Sequence, residues 1–314
     1  MKNKFKKNYK FILGTIFGVI ISASSVFAAS VLTGDKIPYD NTNSKLSSTN
    51  VKEAIDEVNT KATKKVEEAK ALCPDEKICI ATPVLSFSTD SWATIAANVK
   101  AGNAGAYQVG DTKEIDMGDL GTHTVRVANT SPCTNGETSE TACGFVVEFA
   151  DILSQSSINS TATNVGGWPA SEMRTYVNGT IYDAIPNELQ NIIATTTVVS
   201  SHGSTSGETN FTSSDKLYLL STKEVWGKDG TSDIITEDTA EAETRQLDYY
   251  KNKGVTTSNY SGAIKQYNGL KSSWWLRSAH SNNTSRFFAV GVYGVRFTIN
   301  ANSTYGVSPA FRIA

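Results

Sequence analysis

Histidine is scarce in this chain: three in 314 residues, at His123, His202 and His280. A histidine-ligated iron needs clustered imidazoles, and none cluster here. Cysteine is nearly as sparse. Cys73 and Cys79 lie six apart, Cys133 and Cys143 ten apart, and neither spacing is that of a zinc knuckle. A charge excess is also missing: 29 Lys and Arg against 31 Asp and Glu leave a formal −2. That balance gives no general drive toward nucleic acid or an anionic membrane, so no nucleic-acid partner is expected. No internal repeat is visible. Nucleophilic catalysis needs a thiol or activated hydroxyl beside a histidine that a carboxylate orients; no segment nominates such a group, and a non-catalytic role is expected.

What is present begins with a basic N-terminus. Lys2, Lys4, Lys6, Lys7 and Lys10 precede an apolar run over 11–26, and Val26, Phe27 and Ala28 put small residues where a signal peptidase reads. A signal peptide is expected over 1–29, with an uncleaved membrane anchor as the alternative; both put the rest at the cell surface or outside the cell. An oxidising compartment favours disulfides, so Cys73 is expected to pair with Cys79 and Cys133 with Cys143, each closing a short turn-rich loop.

Residues 30–72 read as a polar linker followed by a helical stalk. Val51, Ile55, Val58, Ala62, Lys65, Ala69 and Leu72 step alternately by four and three, the spacing of a coiled-coil seam, and Asn50 with Glu53 forms a capping box. The helix either holds copies of the chain together through that seam or lies alone on the domain. Residues 73–314 form the globular part. Strands are expected at 122–128, 144–149, 192–200 and 216–220, helices at 91–100, 171–178 and 240–251, and long surface loops at 201–214 and 256–262. The mixture is α+β.

The C-terminal third is the most specific stretch. Phe288, Val290 and Val292 alternate with smaller residues, as do Val295, Phe297 and Ile299 with polar ones, and Tyr293-Gly294 falls between the runs. A two-residue turn there would pair 292 with 295, 290 with 297 and 288 with 299, putting six apolar side chains on one face. Trp274 and Trp275 are adjacent, point to opposite faces of a strand and are expected to be buried; Arg277 is expected to meet a buried carboxylate or carbonyl.

Three ordered motifs carry a resemblance: Gly166-Gly167-Trp168-Pro169-Ala170-Ser171-Glu172-Met173-Arg174, then 215–227 with Lys223-Glu224-Val225-Trp226-Gly227, then Trp274-Trp275-Leu276-Arg277-Ser278 leading to Gly306-Val307-Ser308-Pro309-Ala310-Phe311. Together they resemble an uncharacterised "domain of unknown function" family of bacterial surface proteins, over roughly residue 86 to the end. That family is similar to the C-type-lectin-like superfamily, which includes formylglycine-generating enzymes and the variable receptor proteins of diversity-generating retroelements. Two positions depart from it: Ala279 stands where the family has Pro, and Ser308 where it has Arg. The resemblance implies a C-type-lectin-like fold with antiparallel hairpins and two or three helices, and a ligand face on the C-terminal loops.

His280, Asn282, Asn283, Arg286, Tyr293, Arg296, Asn300, Asn302 and Tyr305 fall on those turns or on the polar face of the hairpin, and they are residue types that make adaptable contacts at recognition surfaces. They are the candidate ligand-binding residues. Asp229, Asp233, Glu237 and Asp238 follow Trp226-Gly227 and are hard oxygen donors suited to calcium, although their spacing is not that of an EF-hand; the other reading is a solvated acidic loop capping the next helix, and no cofactor is required. The expected role is an exported adhesin-like or lectin-like module that binds a glycan or protein on another surface, with self-association through 50–72 as a further expected contact. The alternative is an envelope or appendage subunit whose same surface packs against sister subunits.

Overall fold

The computed structural model describes residues 38–40, 42, 46–72, 85–133, 136–204, 207–227 and 237–314. The expected signal peptide, Cys73 with Cys79, and Asp229 with Asp233 lie outside them. Two compact units divide the chain, Met1–Val84 and Leu85–Ala314.

In the first unit a helix, Val51–Leu72, covers the expected span. Asn50 caps it, its Oδ1 accepting the Glu53 N–H at 2.9 Å. The residues before the helix fold back onto it. Glu57 accepts from the N–H and hydroxyl groups of Ser47 and Ser48 at 2.6 to 3.1 Å, and from Lys61 at 2.5 Å. These contacts, Lys61 foremost, hold the Glu57 carboxyl down at about 2. Along the seam Val51, Val58 and Ala62 are half-buried and Ile55 is 37% exposed; the side chains from Lys65 onward lie outside the description.

The second unit is α+β. One antiparallel sheet has the order β1–β2–β3–β13, from Thr112–Asp116, Thr122–Asn129, Phe145–Phe149 and Ala310–Ile313. The other has the order β11–β10–β9–β12–β4, from Arg296–Asn300, Arg286–Val290, Trp274–Ala279, Tyr305–Val307 and Ser154–Ser156. Two hairpins stand apart, β5 (Thr196–Ser200) with β6 (Phe211–Asp215) and β7 (Lys265–Tyr267) with β8 (Leu270–Ser272). The apolar runs of β3 and β9 are buried on both faces, as interior strands require. Trp92–Lys100 and Glu172–Tyr176 are helices, as expected, each with a serine N-cap.

The C-terminal hairpin departs from its expected register. The Gly291 N–H donates to the Val295 carbonyl and the Gly294 N–H to the Gly291 carbonyl, both at 2.7 Å, so the loop is three residues, Val292-Tyr293-Gly294. Gly294 supplies the left-handed conformation such a loop needs (φ 86°), and a Cβ there would sit 1.9 Å from the Tyr260 carbonyl oxygen. The extra loop residue slips the pairing by one. Phe288 faces Thr298 and Val290 faces Arg296, while Phe287 faces Ile299 and Ala289 faces Phe297. The six apolar side chains therefore do not share a face: Val292 and Val295 are 38% and 37% exposed, whereas Phe287, Phe288, Ala289 and Val290 are all buried.

Three other expectations change. Residues 216–220 form no strand, only a bridge between Tyr218 and Ala310, because side chains take over their polar groups. Asn178 binds both Leu217 backbone groups, and Arg277 takes the Leu219 carbonyl. The presumed loop 201–214 contains most of β6. The helix expected over 240–251 shrinks to a 3₁₀ turn, Glu241–Glu243, and a short helix, Asp248–Asn252. Between them Thr244 is extended, and the segment spends its bonds on neighbours: Thr244 and the Leu247 N–H on Glu224, Arg245 on the Ala142 and Ser131 carbonyls. Tertiary hydrogen bonds outweigh helix propensity there.

Candidate functional site

The signature motifs converge on buried struts. Ser221 and Glu224 form a capping box at helix Thr222–Trp226, and the same Glu224 carboxylate takes the Arg277 guanidinium as a fork, Nη1 to Oε2 and Nη2 to Oε1, both at 2.6 Å. Both side chains are fully buried, and the carboxylate is one of the two kinds of partner expected for Arg277. Asp215 accepts from Trp168 Nε1 at 2.8 Å and Arg174 Nε at 2.7 Å, tying the first motif to the second. Trp274 and Trp275 are buried, their indoles donating to the Ala263 and Ser156 carbonyls. Ser308 accepts the buried Lys265 ammonium at 2.8 Å. These groups build the scaffold.

Of the nine candidate ligand residues, six share one end of the second sheet. Arg286 pairs with Asn300 in register, and Ser285 Oγ donates to both Asn283 Oδ1 (2.8 Å) and Asn300 Oδ1 (3.2 Å). Asn302 lies on the turn closed by the Ser303 N–H to the Asn300 carbonyl. His280 stacks on Phe288 with centroids 5.5 Å apart, and its Nδ1 accepts the Asn282 N–H. Burial keeps its pKa below the ordinary 6.5; Glu237 opposes this and Arg286 adds to it. Asn282, Arg286, Asn300 and Asn302 are exposed.

The other three do not join them. Tyr293 sits on the loop at the far end of the hairpin, with Arg296 beside it. Tyr305 is a half-buried packing residue, edge-on to Trp275 at 5.3 Å and Phe297 at 5.6 Å. Of the calcium candidates, Asp238 is buried and spent on the Thr222 hydroxyl (2.6 Å), the Ser278 hydroxyl and the Ala240 N–H. Among the described residues no group of three or more His, Cys, Asp or Glu side chains could hold a metal ion. The Cys133–Cys143 disulfide is present.

The six-residue cluster borders a feature that residue types alone did not single out. Asn164 aims its amide nitrogen at the carbonyls of His280, Asn283 and Arg286, at 3.0, 2.6 and 3.1 Å. Gly203 packs against the same side chain; a Cβ there would sit 3.2 Å from it. A groove of about 690 Å³, whose lining includes His202 next to Gly203, lies between hairpin β5–β6 and the disulfide-bearing segment. Its walls carry hydroxyls of Thr138, Thr197, Thr212 and Thr239, the Asn210 amide, His202, and the carboxylates of Glu208 and Glu243. Asn210 and Thr239 hold each other, Thr239 Oγ1 donating to Asn210 Oδ1 at 2.6 Å. The Ser139 hydroxyl and the Glu140 carboxylate accept the Val199 and Thr197 N–H groups, pinning β5 to the opposite wall. The one sequence signal was the Ser/Thr/Gly-rich character of 201–214. The groove offers donors and acceptors in an open depression, suited to a ligand that presents many hydroxyls or amides.

A family model described as "Domain of unknown function (DUF6273)" matches residues 146–314, which includes the cluster, β5–β6 and all three motifs. No curated protein and no solved structure matches the chain.

Proposed function

The chain belongs to the DUF6273 family of domains of unknown function, and from that scaffold we propose that it is an exported surface module, C-type-lectin-like in architecture, that binds a glycan non-covalently. The observation that carries this reading is the polar groove, together with Asn164, which packs on Gly203 next to the groove-lining His202 and holds the carbonyls of His280, Asn283 and Arg286. Threonine hydroxyls and an asparagine amide both donate and accept, while Glu208 and Glu243 accept only, a combination that suits the hydroxyls of a neutral oligosaccharide. Their charge disfavours acidic chains at this groove. Helix Val51–Leu72, with Ile55 and its neighbours incompletely covered, serves in this reading as a self-associating stalk that multiplies weak sites by avidity.

A glycan array and a whole-cell binding assay test the proposal on the wild type and on Asn210→Ala, Thr212→Arg and Arg286→Ala. Saturable binding to neutral glycans or cells, weakened at least tenfold by Thr212→Arg with an unchanged melting temperature, is the expected result. Concentration-dependent assembly in the ultracentrifuge with no glycan or cell binding would favour the envelope-subunit alternative.

A further inference from the structure

A second cleft, sharing no residue with the groove, is built around an arginine that lacks a full set of partners. Arg126 on β2 is 9% exposed and directs its Nε to Glu148 Oε1 at 2.9 Å. Its Nη2 makes only a long contact to the Tyr250 hydroxyl, 3.4 Å, and Nη1 has no hydrogen-bond partner among the described residues. The other Glu148 oxygen is already taken, by Lys265 Nζ at 2.7 Å and the Tyr250 hydroxyl at 2.9 Å. Two buried cations thus share one buried carboxylate, and one positive charge is left over. Lys265 spends its remaining protons on the Phe149 carbonyl (2.6 Å) and Ser308 (2.8 Å) in a closed interior, so the surplus opens outward only through Arg126.

Outward lies a cleft of about 370 Å³. Tyr249 forms one wall, its ring stacked on the Arg126 guanidinium at 3.8 Å. Thr112 is the register partner of Arg126 on β1, so its hydroxyl emerges beside the guanidinium. Lys253 and Asn252 close the rim, and Lys253 adds a second cation 5.8 Å from the Tyr249 ring. The neighbouring carboxylates are engaged elsewhere: Asp111 accepts the Gln108 N–H at 2.8 Å, and Asp151 accepts the Gln266 N–H at 2.9 Å. Burial, opposed by Glu148 and reinforced by Arg126, depresses the Lys265 ammonium to about 8.

We infer that this cleft is an anion-binding site, in which the oxygens of a carboxylate, sulfate or phosphate group bridge Arg126, the Thr112 hydroxyl and Lys253, while Tyr249 supports the body of the ligand. A guanidinium with open donors offers planar, two-point recognition of such a group, and a half-desolvated cleft makes the charge count for more than at an open surface. The site stands whether or not the groove binds a glycan.

Calorimetric titration of the full exported chain with sulfate, phosphate and glucuronate, at ionic strength held constant with chloride, tests the inference; glucose is the uncharged control. At least one anion should bind saturably and glucose should not. Lys253→Gln and Thr112→Val change exposed side chains, so each should weaken binding several-fold with no change in melting temperature. Arg126→Lys keeps the charge but loses the fork and should weaken binding about tenfold or more. A preference for glucuronate would identify a carboxylate ligand, and a preference for the inorganic ions a tetrahedral one. The inference fails if no anion saturates in the millimolar range, or if Lys253→Gln and Thr112→Val bind anions as well as wild type. Should Arg126→Lys not fold, the two exposed variants decide.

Discussion

Buried charge decides most at the scale of single residues. Glu148 serves Arg126, Lys265 and Tyr250 at once. Burial pushes its carboxyl up, but Arg126 and Lys265 outweigh that and hold it below the ordinary 4.5. Replacing it by Gln leaves two buried cations with no counter-charge, and chemical denaturation should show a loss of about 3–5 kcal/mol, or no folded protein. The pH dependence has a definite sign. The unfolded chain binds a proton near pH 4.5 while the folded one resists it, so this contribution is complete above 4.5 and is lost as pH falls through the folded value. Wild type should therefore lose stability below pH 4.5 more steeply than Glu148→Gln. That Arg277 would meet a buried carboxylate or carbonyl was legible from its place beside two tryptophans, and it meets both. That the partner is Glu224 was not, because the two lie 53 positions apart and nothing local links them. Asn164 was equally invisible: an asparagine in a turn-rich stretch carries no mark of the three carbonyls it will hold.

At the scale of elements, the short helices at 92–100 and 172–176 and strands β2 and β3 were readable because serine caps and apolar periodicity agree there. The C-terminal hairpin shows why register is harder. Alternation in each arm is real, but a loop of two residues and a loop of three give opposite face assignments, and a glycine preceded by tyrosine suits both. The mutational expectations follow the observed register. Phe288→Ala and Val290→Ala remove fully packed groups and should cost about 2–5 and 1–3 kcal/mol in a thermal melt, while Val292→Ala and Val295→Ala, over a third exposed, should stay within about 0.5 kcal/mol. Four equal losses would mean that the hairpin folds with the two-residue turn after all. Helix Val51–Leu72 belongs to a separate compact unit. A chain starting at residue 85 should keep the melting temperature of the longer one and lose concentration-dependent association in the ultracentrifuge; a much lower melting temperature would make the helix part of the domain core.

For the molecule as a whole, the Cys133–Cys143 bridge braces one wall of the groove. It closes the loop whose Ser139 and Glu140 pin β5 and whose Thr138 lines the groove. Reduction should lower stability by roughly 2–3 kcal/mol, and amide exchange should rise first at Thr197 and Val199, whose N–H groups those side chains hold; uniform exchange across the domain would show that the bridge does not act locally. The α+β class and this disulfide were legible in spacing and composition. The groove was not, because its walls come from four segments that only the tertiary fold assembles. One consequence of the buried struts reaches beyond this chain. The tryptophans, Arg277, Glu224 and Asp215 of the three sequence motifs all face inward, whereas the groove and cleft are lined by side chains outside those motifs. Homology detected through those motifs therefore transfers an architecture but no ligand. Two proteins that share every one of these buried residues are free to bind chemically unrelated molecules, so specificity has to be measured one protein at a time.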